Sequence, residues 1–491
     1  MRNLLFVGVD QLRWDSIGPR KALPTDTPSL DALIKGGVSF PRSYTSCPLC
    51  TPSRASMFTG DYAFRHGMGT NCDMYHALGT ELAEPERLLH HELAAAGYRC
   101  GFVGKWQVGV TKGPADYGFE GEAPVGYGNL TQTTGFQDHL ARAGVNYTVE
   151  PTLYFNPDSQ TMAGGRWRGP AISTPSYFQT EQAITMMREF AEDDRPFFIT
   201  VQYWDPHGPH LISDEFWHHT DRSLITPWPN FDDDLAMKPR RVRRERDDFY
   251  RHRPRTDDEL VEYIGLYCDH LAMLDRQIGR LLAALDDLGL KQDTLVAFTS
   301  DHGDMTGAHG GLIDKGLPYE EAMRVPLVFS NPELGQGERS GLALNMDILP
   351  TALSLLGVDH DLRQARDLAP EIREENQPAR DYLLAEYHGL RFLYSQRILV
   401  SDDGWKYVFS PGDDDELYDL THDPHEMTNL ATAPEAAAML SRMRTALMAL
   451  TAQFDDPLRD CVAKFNGQWR TGSDQFDVTS AYLDPAKTGQ A

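Results

Sequence analysis

Positive charge is what this sequence lacks. Against 72 Asp and Glu it carries only 46 Lys and Arg over 491 residues, a formal net charge of −26. Nucleic acid and anionic membrane surfaces need a surplus of Lys and Arg to displace counterions, so neither is expected as a partner. An anionic small molecule is also repelled at long range, and any site for one must build its own local positive charge. Long apolar runs are missing too. The first, Leu4 to Val9, is ended by Asp10 and is too short for a signal peptide or a membrane span. The expectation is a cytoplasmic protein whose sequons at Asn129 and Asn146 meet no glycosylation enzyme. Cysteine is scarce as well: six, unevenly spaced, do not make a disulfide framework.

What is present is an alternation of patterns. "LLFVGVD" (4–10), "CGFVG" (100–104), "PFFITVQYW" (196–204), "TLVAFTS" (294–300) and "VPLVFS" (325–330) are compact, apolar and rich in β-branched or aromatic residues. Each reads as a strand covered on both faces. Between the third and fourth, Leu260, Ile264, Tyr267, Leu271, Leu274, Ile278, Leu281 and Leu285 recur at steps of three and four. That spacing predicts a long helix with one apolar face on the sheet. Residues 1–365 are therefore expected to form an α/β domain, a large mostly parallel sheet flanked by helices, with its ligand site at the carboxyl ends of the strands.

From about Asp381 the pattern changes to "YLLAEY", "RFLYSQRILVS", "GWKYVFS" and "ELYDL", followed by an Ala-, Leu- and Met-rich stretch at 434–452. This predicts a smaller antiparallel sheet with a helix across it, an α+β subdomain over 380–455. The polar segment 362–380, with two prolines, reads as the linker. The tail, 456–491, is expected to pack over the body or to reach a neighbouring subunit of a homo-oligomer. The basic run "KPRRVRRERDDFYRHRPR" (238–255) reads as a solvated loop whose arginines pair with nearby acids, or as a lid or subunit contact that recruits an anion.

Two strand ends terminate in acids. Asp10 and Gln11 follow the first strand, and Asp301, His302, Gly303 and Asp304 follow the fourth. Neighbouring parallel strands bring such ends together. Carboxylates with an amide oxygen and an imidazole suit a hard or borderline divalent cation. Taken singly, an Asp at a strand end is a helix cap or turn former; the joint occurrence favours the metal. Cys50 lies in "SCPLCTPSRASMFTG" (46–60). A redox pair with Cys47 leaves Arg54 and the run to Gly60 unexplained. A zinc site needs a second close pair, which Cys72 and Cys100 do not form.

A third reading accounts for more residues. Cys50-Thr-Pro-Ser-Arg54 with the following Thr59-Gly60 resembles the sulfatase family's signature for a cysteine oxidised to formylglycine. "GKWQVG" (104–109), "DPHGP" (205–209), "SDHGD" (300–304), "DKGLPYEEAMRVPL" (314–327), "GWKY", "ELYDL" and "DPHEMTNL" extend the resemblance over most of the chain. It implies an alkaline-phosphatase-type fold and hydrolysis of a small anionic ester, after maturation by a formylglycine-generating enzyme. Cys50 as formylglycine becomes the nucleophile, with Asp10, Gln11, Asp301 and His302 joining it around a divalent metal. Arg54 neutralises charge at the nucleophile, Lys105 and Lys315 grip the non-bridging oxygens, and His207 binds or protonates the leaving group. His309, in "GAHGG", is expected near the substrate. Gln107 stands where many relatives have His and is expected only to hydrogen-bond the nucleophile. The Asp-Gln and Asp-His pairs are similar to those of choline sulfatases and phosphonate monoester hydrolases. The nitrogen ligand suits Ca²⁺ or Mn²⁺.

Sulfate esters are thus the first expectation, phosphonate monoesters or phosphodiesters the second. A non-catalytic anion-binding or thiol redox protein with unmodified Cys50 is the third. The other five cysteines are expected to be reduced packing thiols. Tyr127, Tyr154, Trp167, Tyr177, Trp217 and Trp228 lie in loops that could wall an apolar or quaternary-ammonium pocket, or pack as core.

Overall fold

The computed structural model describes residues 1–464 apart from 85–86, 122, 155–161, 250–252, 362 and 375–379. Its centre is a seven-stranded sheet of β1 (Asn3–Asp10), β2 (Val38–Ser39), β3 (Arg99–Gly104), β4 (Phe197–Pro206), β5 (Thr294–Ser300), β6 (Leu327–Ser330) and β7 (Gly337–Glu338). The order is β7-β2-β6-β5-β1-β4-β3. β1 pairs in parallel with β5 and β4, and β4 with β3. All eight residues of β1 are buried, which is why its sequence is an unbroken apolar run rather than an alternation. The five expected strands all belong to this sheet. One of them, β6, runs antiparallel to β5; strand direction leaves no mark in an apolar run.

Helices cover both faces. On one, α3 (Asp257–Asp287) sets Leu271, Leu274, Ile278 and Leu281 against Leu5, Val7 and Val9 of β1, beside α2 (Pro175–Ala191). On the other, α1 (Cys50–Thr59) and α4 (Ile348–Leu356) bury Phe58, Leu349 and Leu353 with Leu4 and Phe6. Among the described residues no helix is long and apolar enough to cross a membrane.

Register delivers the site. Val9 pairs with Ser300, so Asp10 and Asp301 leave the sheet side by side. Asp10 pairs with Pro206 and Gly104 with Gln202, which brings His207 and Lys105 to the same edge. Gly104 has φ 107°, and a Cβ there would lie 2.1 Å from the Gln202 carbonyl oxygen. Only glycine lets Lys105 turn in so closely.

The smaller sheet, β8 (Tyr382–Tyr387), β9 (Gln396–Ser401), β10 (Trp405–Phe409) and β11 (Glu416–Asp419), is antiparallel in chain order, with α5 (Ala437–Gln453) packed across it. The second expected strand begins only at Gln396, so "RFLYS" is loop. The linker is fastened down: Leu368, Ala369 and Ile372 are buried in the first domain's core. Of the tail, Asp456 pairs with Arg397 at 2.8 Å, and residues 465–491 lie outside the described residues.

The basic run does pair with acids, yet it is not a solvated loop throughout. Arg241 is buried and bonds Glu416 of β11 at 2.9 Å, while Lys238, also buried, bonds the Tyr418 hydroxyl at 3.1 Å and the Glu426 carbonyl. The run thereby straps the large domain to the small sheet. Nearby, fully buried Lys406 stands 2.8 Å from both Glu320 and Glu426. Lys406→Met leaves two buried carboxylates without their counter-charge, and is expected to cost about 3 kcal/mol. Urea unfolding should show this as a lower midpoint at unchanged slope.

Candidate functional site

The site starts from an unusual helix. All ten residues of α1 are buried although half of them are polar. Each hydroxyl is committed: Thr51 Oγ1 donates to the Gln107 carbonyl at 2.8 Å, Ser53 Oγ to the Asp301 carbonyl at 2.6 Å, and Thr59 Oγ1 to the Ala55 carbonyl at 2.8 Å. Ser56 Oγ bonds His66 Nε2 at 3.1 Å. Gly60 ends the helix in the left-handed conformation, φ 72°, with its N–H on the Ser56 carbonyl, which gives the Thr-Gly pair a structural reason. No apolar period runs through such a helix, so its sequence does not announce one.

At its first turn Cys50 Sγ lies 3.2 Å from His302 Nε2 and 3.9 Å from Asp10 Oδ1. Ligand atoms of Asp10, Cys50, Asp301 and His302 all fall within 4.8 Å of one another, and all four residues are buried. Around them stand the cations. Arg54 donates through Nε to Asp301 at 2.9 Å, and through Nη1 to the Lys105 carbonyl at 3.1 Å and Gln202 Oε1 at 3.2 Å. Lys105 Nζ bonds the Asp10 carboxylate. Lys315 Nζ bonds Gln11 Oε1 at 2.9 Å and His207 Nε2 at 2.6 Å. His207 Nδ1 donates to the Gly208 carbonyl at 2.6 Å, which leaves Nε2 as the acceptor toward Lys315.

Charge is balanced inside this pocket rather than by the chain. Burial alone would raise the Asp10 carboxyl, yet Lys105, His207, Lys315 and Arg54 hold it well below the usual range. Asp301 is pushed up, first by burial and then by the charge of Asp10. Burial and Asp10 raise the Cys50 thiol, but Lys105, Lys315 and His302 bring it well below its ordinary value. Burial pulls His302 down, and Asp301 and the Cys50 thiolate together carry it up to about 9. Two crowded carboxylates, an imidazole and a sulfur are a donor set for a divalent cation, whose charge would relieve the repulsion that raises Asp301. Beside the cluster, Arg54 Nη2, 3.9 Å from the Asp10 carboxylate, and Gln107 Oε1 are buried with no hydrogen-bond partner among the described residues. One is a donor and one an acceptor. These residues fit a cation and a hydroxylated nucleophile.

Placement of the other expected residues differs. The Gln11 N–H donates to Asp301 at 3.1 Å, but its side chain spans Lys315 and Asp304, linking the cluster to the lysine. Gln107 Nε2 donates to Asp73 at 3.1 Å. His309, expected near the substrate, takes its contacts elsewhere. It is fully buried, bonded to Asp233 at 3.1 Å, 3.6 Å from Glu321, and its ring centroid lies 4.2 Å from that of Tyr319 with the planes tilted by 32°. Its neighbours make it part of a buried ionic network with Asp233 and Glu321 rather than of the Cys50 cluster.

Two participants, Asn71 and Asn345, had no sequence signal. Asn71 Oδ1 accepts the Thr51 N–H at 3.1 Å. Asn345 Nδ2 donates to Ser53 Oγ at 2.8 Å and the Asp301 carbonyl at 3.1 Å, locking α1 to the end of β5. A lone amide has no partner spacing to betray it.

A family model described as Sulfatase matches residues 2–358, and one described as N-sulphoglucosamine sulphohydrolase, C-terminal, matches 307–453. The uncharacterized sulfatase YidJ of Escherichia coli (strain K12) is 30% identical over 473 residues, 93% of this chain and 88% of its own. Choline-sulfatase of Rhizobium meliloti (strain 1021) is 28% identical over 460 residues, covering 88% and 83%. In fold, the phosphonate monoester hydrolase SpPMH from Silicibacter pomeroyi superposes with a TM-score of 0.78 at 24% identity, over 93% of this chain and 97% of that one.

Proposed function

Because this chain belongs to the sulfatase family and is a sulfuric ester hydrolase, we propose that it works through a formylglycine made from Cys50 and a divalent cation, Ca²⁺ or Mn²⁺. The observation that carries this is the meeting of Cys50 with Asp10, Asp301 and His302 in one buried cluster ringed by Arg54, Lys105 and Lys315.

Asp10, Asp301, His302 and the side chain at position 50 would hold the cation, and Gln11 could join them only by sharing with the cation the Oε1 that accepts from Lys315. When bound, the cation and the hydrated aldehyde supply a hydroxyl that is nucleophilic at neutral pH. The chain's own residues do the rest. Arg54 keeps Asp301 oriented, and its Nη2, 3.9 Å from the Asp10 carboxylate and without a hydrogen bond among the described residues, would be left to meet the ester. Lys105 and Lys315 bring two positive charges to the oxygens of a tetrahedral anion, in a site shielded from water where each counts for more than at a surface. The −26 chain thus supplies the local cations that an anionic ester needs. His207 presents Nε2 beside Lys315, the geometry for exchanging a proton at the leaving oxygen. Gln107 cannot act as a base; its Oε1, buried with no hydrogen-bond partner among the described residues, would accept a hydrogen bond from the nucleophile.

Peptide mass spectrometry across Cys50, on protein co-produced with a formylglycine-generating enzyme, tests the nucleophile. A thiol that persists there sinks the mechanism. A panel of sulfate, phosphonate and phosphodiester esters then ranks substrates, and a phosphonate preference would replace the sulfate reading. Removing the cation by chelation should lower both the melting temperature and the free energy of unfolding, and Ca²⁺ or Mn²⁺ at a hundredfold excess over Kd should restore about 3 kcal/mol of the latter. Calorimetric titration that shows no binding would remove the cation from the proposal.

A further inference from the structure

Of the six aromatics singled out in the sequence, four are engaged elsewhere, and one of these, Tyr177, lies in α2 rather than in a loop. Trp167 is buried and stacked on Tyr147 at 3.9 Å, Tyr177 lies under Arg280, Trp217 under Arg166 and Trp228 under Arg13. Tyr154 is 40% exposed. Tyr127 is different. Its ring lies 4.6 Å from Lys105 Nζ, and its hydroxyl 3.5 Å from His207 Nδ1. At 37% exposure it also faces solvent.

Its position is built. Trp204 Nε1 donates to the Tyr127 carbonyl at 3.2 Å. The flanking glycines both have positive φ, 59° at Gly126 and 63° at Gly128, and a Cβ on Gly128 would meet Pro124 at 2.6 Å. The chain folds sharply on either side of the ring.

We propose that Tyr127 is the side wall of the leaving-group subsite, a specificity-determining residue that favours esters of flat, apolar alcohols and phenols. This rests on the sulfatase reading above. Lys105 is assigned to the non-bridging oxygens and His207 to the leaving oxygen, so a side chain touching both stands beside the bond that breaks. An aromatic ring offers area and offset stacking there. Lys105 keeps its bond to Asp10 without the ring, so the anion clamp is set independently.

The test compares the matured enzyme with two variants on 4-nitrophenyl sulfate, with inorganic sulfate as competitive inhibitor. Tyr127→Leu should raise KM about tenfold while Ki for sulfate, which has no leaving group, stays within about threefold. Tyr127→Phe should keep KM within about threefold of wild type. An unchanged KM in Tyr127→Leu overturns the inference. So does a parallel rise of KM and Ki, which would mean that the ring works only through Lys105. Phe as damaging as Leu also overturns it, by transferring the role to the hydroxyl. If the wild type itself hydrolyses no sulfate ester, the parent reading falls and this one with it, a result separable from all the others.

Discussion

Cys50→Ala should abolish hydrolysis of 4-nitrophenyl sulfate, lowering kcat by at least about 10⁴. The reason is that no other side chain in the pocket can take over. The two nearest hydroxyls on α1 are committed, Thr51 to the Gln107 carbonyl and Ser53 to the Asp301 carbonyl. Asp10 and Asp301 are bound to Lys105 and Arg54. Cys47→Ala provides the contrast. Cys47 is buried in the core shared with the small sheet, and burial raises its thiol well above the ordinary value. Its loss should leave kcat within about threefold of wild type, as expected of a packing thiol. Equal damage from the two substitutions would revive the redox pair and end the case for a single nucleophile. Initial rates on both variants, with the peptide mass of residue 50 in the wild type, decide it.

How much of this was legible depends on which kind of signal each residue leaves. The five strands and α3 could be read because burial on two faces, or on one helical stripe, writes a period into the sequence. The strand ends could be read because Asp10 and Asp301 each follow such a run. Cys50 and Arg54 could be read only through a resemblance. Their helix is polar and wholly buried, and its stability rests on hydrogen bonds to carbonyls brought in from other segments. His309 shows the opposite failure. A histidine in a glycine-rich turn next to a metal pair looks like a site residue, yet backbone conformation decided its direction, with φ 50° at His309 itself. The basic run failed in the same way. Charge alone suggested solvent, while Arg241 found a carboxylate and Lys238 a tyrosine hydroxyl on a sheet encoded some 180 residues later. Long-range pairing of buried charges has no local signature.

Arg54 carries the second large effect, and it separates stability from chemistry. Its guanidinium is fully buried and holds Asp301, the Lys105 carbonyl and Gln202 at once. Arg54→Leu leaves Asp301 facing Asp10 without that charge, at a cost of about 3–5 kcal/mol to the fold. Calorimetry should show a melting point lower by several degrees, and activity should vanish. Arg54→Lys is the informative variant. Lysine restores the charge but not the planar fork, so the fold should recover most of the loss while kcat/KM stays down about 10²-fold or more. Cation affinity, read by calorimetric titration of Ca²⁺ or Mn²⁺, then tells the two roles apart. If Arg54→Lys binds the cation as wild type does and remains slow, the fork acts on the ester through Nη2, the one buried donor there with no hydrogen bond among the described residues. If cation affinity falls in step with the rate, Arg54 serves only to hold Asp301, and the clamp on the substrate reduces to Lys105 and Lys315.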